Sequence, residues 1–258
     1  VARSSTQTGK SNKNADLDKL QIWEARRKME FHPGKCQVMR VTNKKNPTVG
    51  RYVLHNEDLE ITADAKYLGV TLDAQMKWKK HVTNTANKAN KMLFFLNRQL
   101  NQCTPSVKKQ CYETYVRPIL EYSSSVWDPH HLNQIEELEK IQRRAARLAS
   151  GYQTPHIDSR TLVENFGWQP LEERRKLNKL TLFHKALLDN TEIPMDHLKQ
   201  ITSKTRNSSY CFQIPQSRTD AHLFSFYPSV IRHWNRTKTI AKQAHTTQSF
   251  RQSILSVA

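Results

Sequence analysis

Residues 74–112, AQMKWKKHVTNTANKANKMLFFLNRQLNQCTPSVKKQCY, contain no Asp or Glu and eight Lys or Arg. Projected at about 100° per residue, Lys77, Lys80, Lys88, Lys91 and Arg98 fall in one arc, and Trp78, Val82, Ala86, Ala89, Leu93, Leu96 and Leu100 in the opposite one. The spacing predicts an amphipathic helix over 77–100 with a cationic outer face. Solvated helix faces ordinarily mix signs, because like charges three or four residues apart repel by a few tenths of a kcal/mol per pair. An acid-free face therefore points to neutralisation of phosphates, with an anionic membrane surface as the competing partner.

The whole chain carries the same bias. Its 258 residues hold 41 Lys plus Arg against 23 Asp plus Glu, a formal charge of +18. Residues 1–72 carry 13 basic and 8 acidic side chains, 73–150 carry 13 and 7, 151–200 carry 7 and 7, and 201–258 carry 8 and 1. The neutral third segment reads as scaffold and the basic ones as working faces. Only 6 Gly occur, too few for an all-β fold built on many tight turns. The longest apolar run falls short of the roughly 18 residues of a membrane span, and residues 1–16 lack the apolar core of a signal peptide. Cys36, Cys103, Cys111 and Cys211 are widely separated with no CxxC pair, which favours reduced thiols and an intracellular location over a zinc site or a disulfide framework.

Residues 1–15 form a polar stretch read as a flexible leader. Leu17, Leu20, Trp23 and Arg27 follow at helical spacing, with Asp16 as N-cap and Pro33-Gly34 as the stop. A strand-like alternation over 37–42 leads into a Lys44-Lys45-Asn46-Pro47 turn, and 51–54, 59–61 and 67–72 read as short strands. Downstream, helices are expected near 105–117, 131–150, 159–166 and 170–189, three of them opened by Pro105, Pro129 and Pro170. Residues 200–222 read as a linker. The fold class is α+β, mostly α, with a small antiparallel sheet ahead of a helical remainder.

The helix over 131–150 has an apolar stripe of Leu132, Ile135, Leu138, Ile141, Ala145 and Leu148. Glu136–Lys140 and Glu139–Arg143 stand at i,i+4, and acids precede bases along it as the helix dipole favours, so a self-stabilised surface helix accounts for much of its charge. Arg143, Arg144 and Arg147 remain candidate phosphate contacts. No P-loop, GxSxG, HExxH or dinucleotide fingerprint occurs, and the acidic pairs lack a strand–turn context that would hold two metals about 4 Å apart. His130-His131 has no spaced Cys or His partner, and His81 and His184 read as packing or surface groups. The residues assign no catalytic group and no metal ligand.

Six stretches in order resemble the C-terminal half of the reverse transcriptases of animal non-LTR, LINE-like retrotransposons of the jockey/CR1 type. They are DLDKLQIWEARRKMEFHPGKCQVMRVT (16–42), KYLGVTLDAQMKWKKHV (66–82), YVRPILEYSSSVWDPH (115–130), LEKIQRRAARL (138–148), and WQPLEERR (168–175) with SFYPSVIRHWN (225–235). The resemblance spans about residues 16 to 255. It implies a palm remnant over 16–73, a helical thumb over 74–150, a helical extension over 151–199, and a basic linker and C-terminal segment over 200–258.

It further implies that Lys35 stands near the incoming triphosphate, and that Tyr67, Leu68 and Gly69 form a primer-grip-like turn. Lys77, Lys80, Lys88 and Lys91 would track the template–primer along its phosphates. Arg27 and His32 replace an aromatic and an Asn usual in the family, and Arg236-Thr237-Lys238 replaces its Leu-Pro pair. The family's catalytic aspartates lie upstream of these motifs, so the chain is expected to bind RNA, DNA or their hybrid without polymerising, and Mg²⁺ is expected only in the intact parent enzyme. The competing expectations are a non-enzymatic basic protein docking on a protein or an anionic membrane, and a degraded reading frame. The sequence sets no oligomeric state.

Overall fold

A computed structural model describes residues 14–44, 50–151, 156–188, 191–201 and 210–256. Residues 1–13 of the expected leader and 45–47 of the expected turn lie outside the described residues, as does 202–209 of the expected linker. The chain divides into two compact units, 1–77 and 78–258. The helical extension expected over 151–199 and the basic linker and C-terminal segment expected over 200–258 share one unit with 78–150.

In the first unit, α1 (Ala15–Arg27) starts one residue before the expected Asp16 cap, with Asn14 at the N-cap. It stops well ahead of Pro33, because Lys28 turns into the left-handed region at φ 53° and the Glu24 carboxylate accepts the Phe31 N–H. Glu24 is buried and also faces His55 Nε2 at 3.2 Å. The expected apolar face is largely open to solvent, with Leu20, Ile22 and Trp23 each more than two-fifths exposed. His32 Nδ1 accepts the Gly34 N–H at 3.1 Å, an Asx-like cap on the 3₁₀ turn Pro33–Lys35.

Among the described residues six short strands follow: β1 (Gln37–Met39), β2 (Val53–Leu54), β3 (Glu57–Asp58), β4 (Glu60–Thr62), β5 (Asp64–Tyr67) and β6 (Val70–Asp73). They form three separate pairs. The expectation of one antiparallel sheet holds for β2–β3 and β5–β6, whereas β1 and β4 pair in parallel with Val38 opposite Ile61. The strand expected over 67–72 is instead a hairpin, since Leu68 and Gly69 both take positive φ (45° and 83°) and reverse the chain in a two-residue turn. The Asp73 carboxylate then accepts the N–H groups of Gln75 (3.0 Å) and Lys77 (3.1 Å).

The second unit is helical: α2 (Lys79–Gln99), α3 (Pro105–Cys111), α4 (Arg117–Glu121), α5 (Ser124–Trp127), α6 (Leu132–Ser150), α7 (Ser159–Asn165), α8 (Leu171–Leu187), α9 (Asp220–Leu223), α10 (Phe226–Arg236), α11 (Thr239–Lys242) and α12 (Thr247–Leu255). The single helix expected over 105–117 is longer and interrupted. A π turn at Tyr112–Val116 joins α3 to α4 just ahead of Pro118, whose ring nitrogen cannot donate.

Val82, Ala86, Ala89, Leu93 and Leu96 of α2 are buried where α2 packs on α6, whose contribution is Leu138, Ile141, Ala145, Ala146 and Ala149. His81 is buried edge-on to Trp127, 4.8 Å between ring centres, and this burial lowers its pKa. Tyr112 donates to Gln142 Oε1 at 2.9 Å, and Gln142 donates to the Gln169 carbonyl, also at 2.9 Å, so a buried polar chain links the π turn, α6 and the approach to α8. A second core gathers Leu180 and Phe183 of α8 with Phe212, Val230, Ile231, Trp234, Ala241 and Phe250. The segment read as a linker therefore contributes to a core as well.

A buried ion cluster pins α8. Arg175 is fully buried and its Nε donates to Asp128 Oδ1 at 2.8 Å, while Lys179 Nζ reaches Asp128 Oδ2 and Ser229 Oγ, each at 2.8 Å. Two buried cations share one carboxylate, and among the described residues neither terminal nitrogen of Arg175 meets an acceptor.

Candidate nucleic-acid interface

The period of α2 decides what it presents. With Val82, Ala86, Ala89, Leu93 and Leu96 turned inward, Lys79, Lys80, Lys88, Lys91 and Arg98 are all exposed. The helix begins at Lys79, two residues later than expected, so Lys77 precedes it and belongs to the first unit, together with Lys35 and the Tyr67–Gly69 turn. Lys35 is exposed on its 3₁₀ turn, and Tyr67 and Leu68 are 61% and 73% exposed at the hairpin tip. Two further cations of the acid-free stretch reach backbone carbonyls: Lys109 Nζ donates to Phe166 at 2.8 Å and Lys108 Nζ to Asn101 at 3.4 Å.

The three arginines of α6 separate. Arg143 is bound by Glu136 through both of its terminal nitrogens, and this hydrogen bonding holds the Glu136 carboxyl below its ordinary pKa. Arg143 thus has an internal partner on its own helix. Arg144 and Arg147 are exposed, and Arg144 Nη1 donates to Asn90 Oδ1 of α2 at 3.1 Å. The C-terminal ends of α2 and α6 line one cleft of about 370 Å³ with Lys108, so the two helices run in the same direction. Arg147, three residues beyond Arg144, is then about level with Leu93 and Phe94.

The expected partner of Arg143, Glu139, is used otherwise. It accepts the Glu172 N–H at 3.0 Å and caps α8, whose own N-cap, Pro170, has no polar side chain. Burial raises the Glu139 pKa, and the α8 amides partly oppose that. The predicted stripe of α6 is rotated accordingly: Leu132 is 83% exposed, and Gln134 and Gln142 take buried positions.

Two residues missed in the sequence lie on the α2 face. Phe94 and Phe95 are 64% and 49% exposed, out of phase with the buried arc. Their phase was the legible signal, since a core residue would stand one position earlier or later.

The interface is thus a row of cations on α2, widened by Arg144 and Arg147. His130 and His131 make ring contacts with each other, and His130 stacks on Phe224 at 3.9 Å.

Two curated proteins are similar to the chain. An RNA-directed DNA polymerase from the mobile element jockey of Drosophila funebris is 25% identical over 138 residues, covering 52% of this chain and 15% of that protein. A probable RNA-directed DNA polymerase from the transposon X-element of Drosophila melanogaster is 29% identical over 90 residues, covering 34% of this chain and 10% of that protein. The chain resembles part of a non-LTR retrotransposon reverse transcriptase. No family model matches it, and neither does any solved structure. The chain spans less than a sixth of the length of either polymerase it matches.

Proposed function

We propose that the chain is a template–primer-holding part of a mobile-element RNA-directed DNA polymerase and grips RNA, DNA or their hybrid by its phosphates. The acid-free exposed face of α2 carries this reading. Lys80, Lys88, Lys91 and Arg98 with Arg144 and Arg147 supply charge without base-reading geometry, as a polymerase needs for a duplex of any sequence. By the resemblance, Tyr67, Leu68 and Gly69 serve as a primer-grip turn and Lys35 lies toward the triphosphate.

Polymerisation requires paired carboxylates holding two metal ions. The described residues do not fit a Mg²⁺ pair: no three of their His, Cys, Asp or Glu side chains converge, and Asp16 and Asp58 are held by Lys19 and Arg51. On this reading Mg²⁺ would be held by the carboxylates of the intact parent enzyme. No described helix is long and apolar enough to cross a membrane.

Binding to a primed RNA–DNA duplex across a salt series tests the reading. The logarithm of the binding constant should fall with that of salt with a slope of about −5, near −0.9 per phosphate contact. Changing Lys80, Lys88 and Lys91 to Glu should abolish most of it. A flat salt response, or binding to anionic vesicles but not to nucleic acid, would overturn the proposal. Nucleotide incorporation by the chain on a primed RNA template would overturn its non-catalytic part.

A further inference from the structure

Two phenylalanines interrupt the cationic row of α2. Counted at about 100° per residue, Phe95 falls in the arc of Lys80, Lys91 and Arg98, and Phe94 at the edge nearest Asn90, the residue held by Arg144. Single exposed apolar side chains are ordinary. An adjacent pair bracketed by Lys91 and Arg98 is not, because α2 already buries a complete stripe and these rings add nothing to it.

The occupant of such a surface is constrained by two properties. It must be anionic, because the face carries no acid, and it must offer flat apolar area to two rings. Nucleotides satisfy both. Whether they are paired decides the geometry. In a duplex the bases show only their edges, and a ring can reach a base face only by first unstacking a step. An unpaired base offers its face at no such cost, and stacking on it is a direct gain. Lys91 and Arg98 are seven residues apart, about 10 Å along the axis, the length of roughly three nucleotides stacked at about 3.4 Å.

We infer that Phe94 and Phe95 form a base-stacking step that takes unpaired nucleotides of a DNA or RNA strand, with Lys91 and Arg98 on the flanking phosphates. The inference rests on the nucleic-acid reading of this face and adds a preference to it: the chain binds a single strand, or a duplex with an overhang, more tightly than a blunt duplex of equal charge.

The test compares wild type, the double variant Phe94→Ala/Phe95→Ala, the double variant Phe94→Leu/Phe95→Leu and the charge variant Lys88→Glu/Lys91→Glu. The probes are a short oligothymidylate carrying 2-aminopurine and a blunt duplex, with thermal unfolding checked for each protein. The alanine pair should lose about tenfold or more in affinity for the single strand, equivalent to about one stacked base, and under about twofold for the blunt duplex. Wild type should quench the 2-aminopurine, and both phenylalanine variants should lose the quenching, because leucine restores apolar area without a ring. Equal losses on both probes, or unchanged quenching, overturn the stacking step. If the charge variant still weakens both probes, the phosphate reading survives that failure. If neither set of variants affects either probe, both readings fall. Altered self-association in the alanine pair with intact single-strand binding would show that the rings cover protein instead, and would overturn the inference.

Discussion

Arg144 of α6 donates its Nη1 to Asn90 Oδ1 of α2 at 3.1 Å, whereas its neighbour Arg143 is consumed by Glu136 on its own helix. Adjacent arginines thus have different partners. Arg144→Ala should weaken binding to a primed duplex about three- to tenfold and reduce the salt slope by about one. Arg143→Ala should leave that slope unchanged. Fluorescence anisotropy at four or five salt concentrations separates the two, and equal effects would contradict the assignment.

The shared carboxylate of Asp128 is the most sensitive position for folding. Asp128→Ala leaves Arg175 and Lys179 buried without their counter-ion and should cost about 3–5 kcal/mol, read as a lowered urea midpoint. Replacing all three at once, Asp128→Leu with Arg175→Met and Lys179→Met, should recover most of the loss, because no buried charge is then left uncompensated.

Acid should destabilise the second unit through its inward histidines. Burial lowers the pKa of His81 and of His184, while the contact of His184 Nε2 with the Ala244 carbonyl at 3.0 Å partly opposes this in the latter. The unfolded chain therefore takes up protons that the folded rings refuse. This stability is fully present above about pH 6.5, the unfolded histidine value, and is lost as pH falls below it toward the folded pKa values. The thermal midpoint should drop between pH 7.5 and 5.5, and His81→Gln or His184→Gln should flatten that drop relative to wild type at pH 7.5.

The β5–β6 turn holds a leucine where the backbone favours Gly or Asn. With Leu68 at φ 45°, Leu68→Asn should stabilise the hairpin by about 1 kcal/mol, and Gly69→Val should weaken it by at least as much. Amide hydrogen exchange of Lys66 to Leu72 reports either change. The same Leu68→Asn variant should bind nucleic acid more weakly if the exposed leucine touches a primer end.

What could be read in advance followed the strength of local physics. The buried face of α2 was legible because seven apolar positions repeat at 3.6 residues over six turns, and no tertiary choice can rotate so wide a stripe. On α6 the stripe was read one position off, since Gln134 and Gln142 are buried through partners distant in sequence, and nothing near them announces the Tyr112 hydroxyl. The partner of Glu139 was missed for the same reason: the amide it accepts lies 33 residues away. In the first unit the strands span two to four residues, too few for alternation to fix a partner, so the parallel β1–β4 pairing carried no local mark. Phe94 and Phe95 stand out of phase with the buried stripe, which places them outside the core but does not by itself say what they touch.

The lack of acids on α2 also sets the empty protein against the bound one. Lys88 and Lys91, one turn apart and exposed, repel each other with no carboxylate on their helix to offset them. Added electrolyte relaxes that repulsion and so favours the unliganded fold, while it competes away the polyanion. Moderate salt should make this chain easier to keep folded in the conditions where it lets go of its ligand, and a tightly held strand should act on α2 as that salt does, as a resident counter-ion.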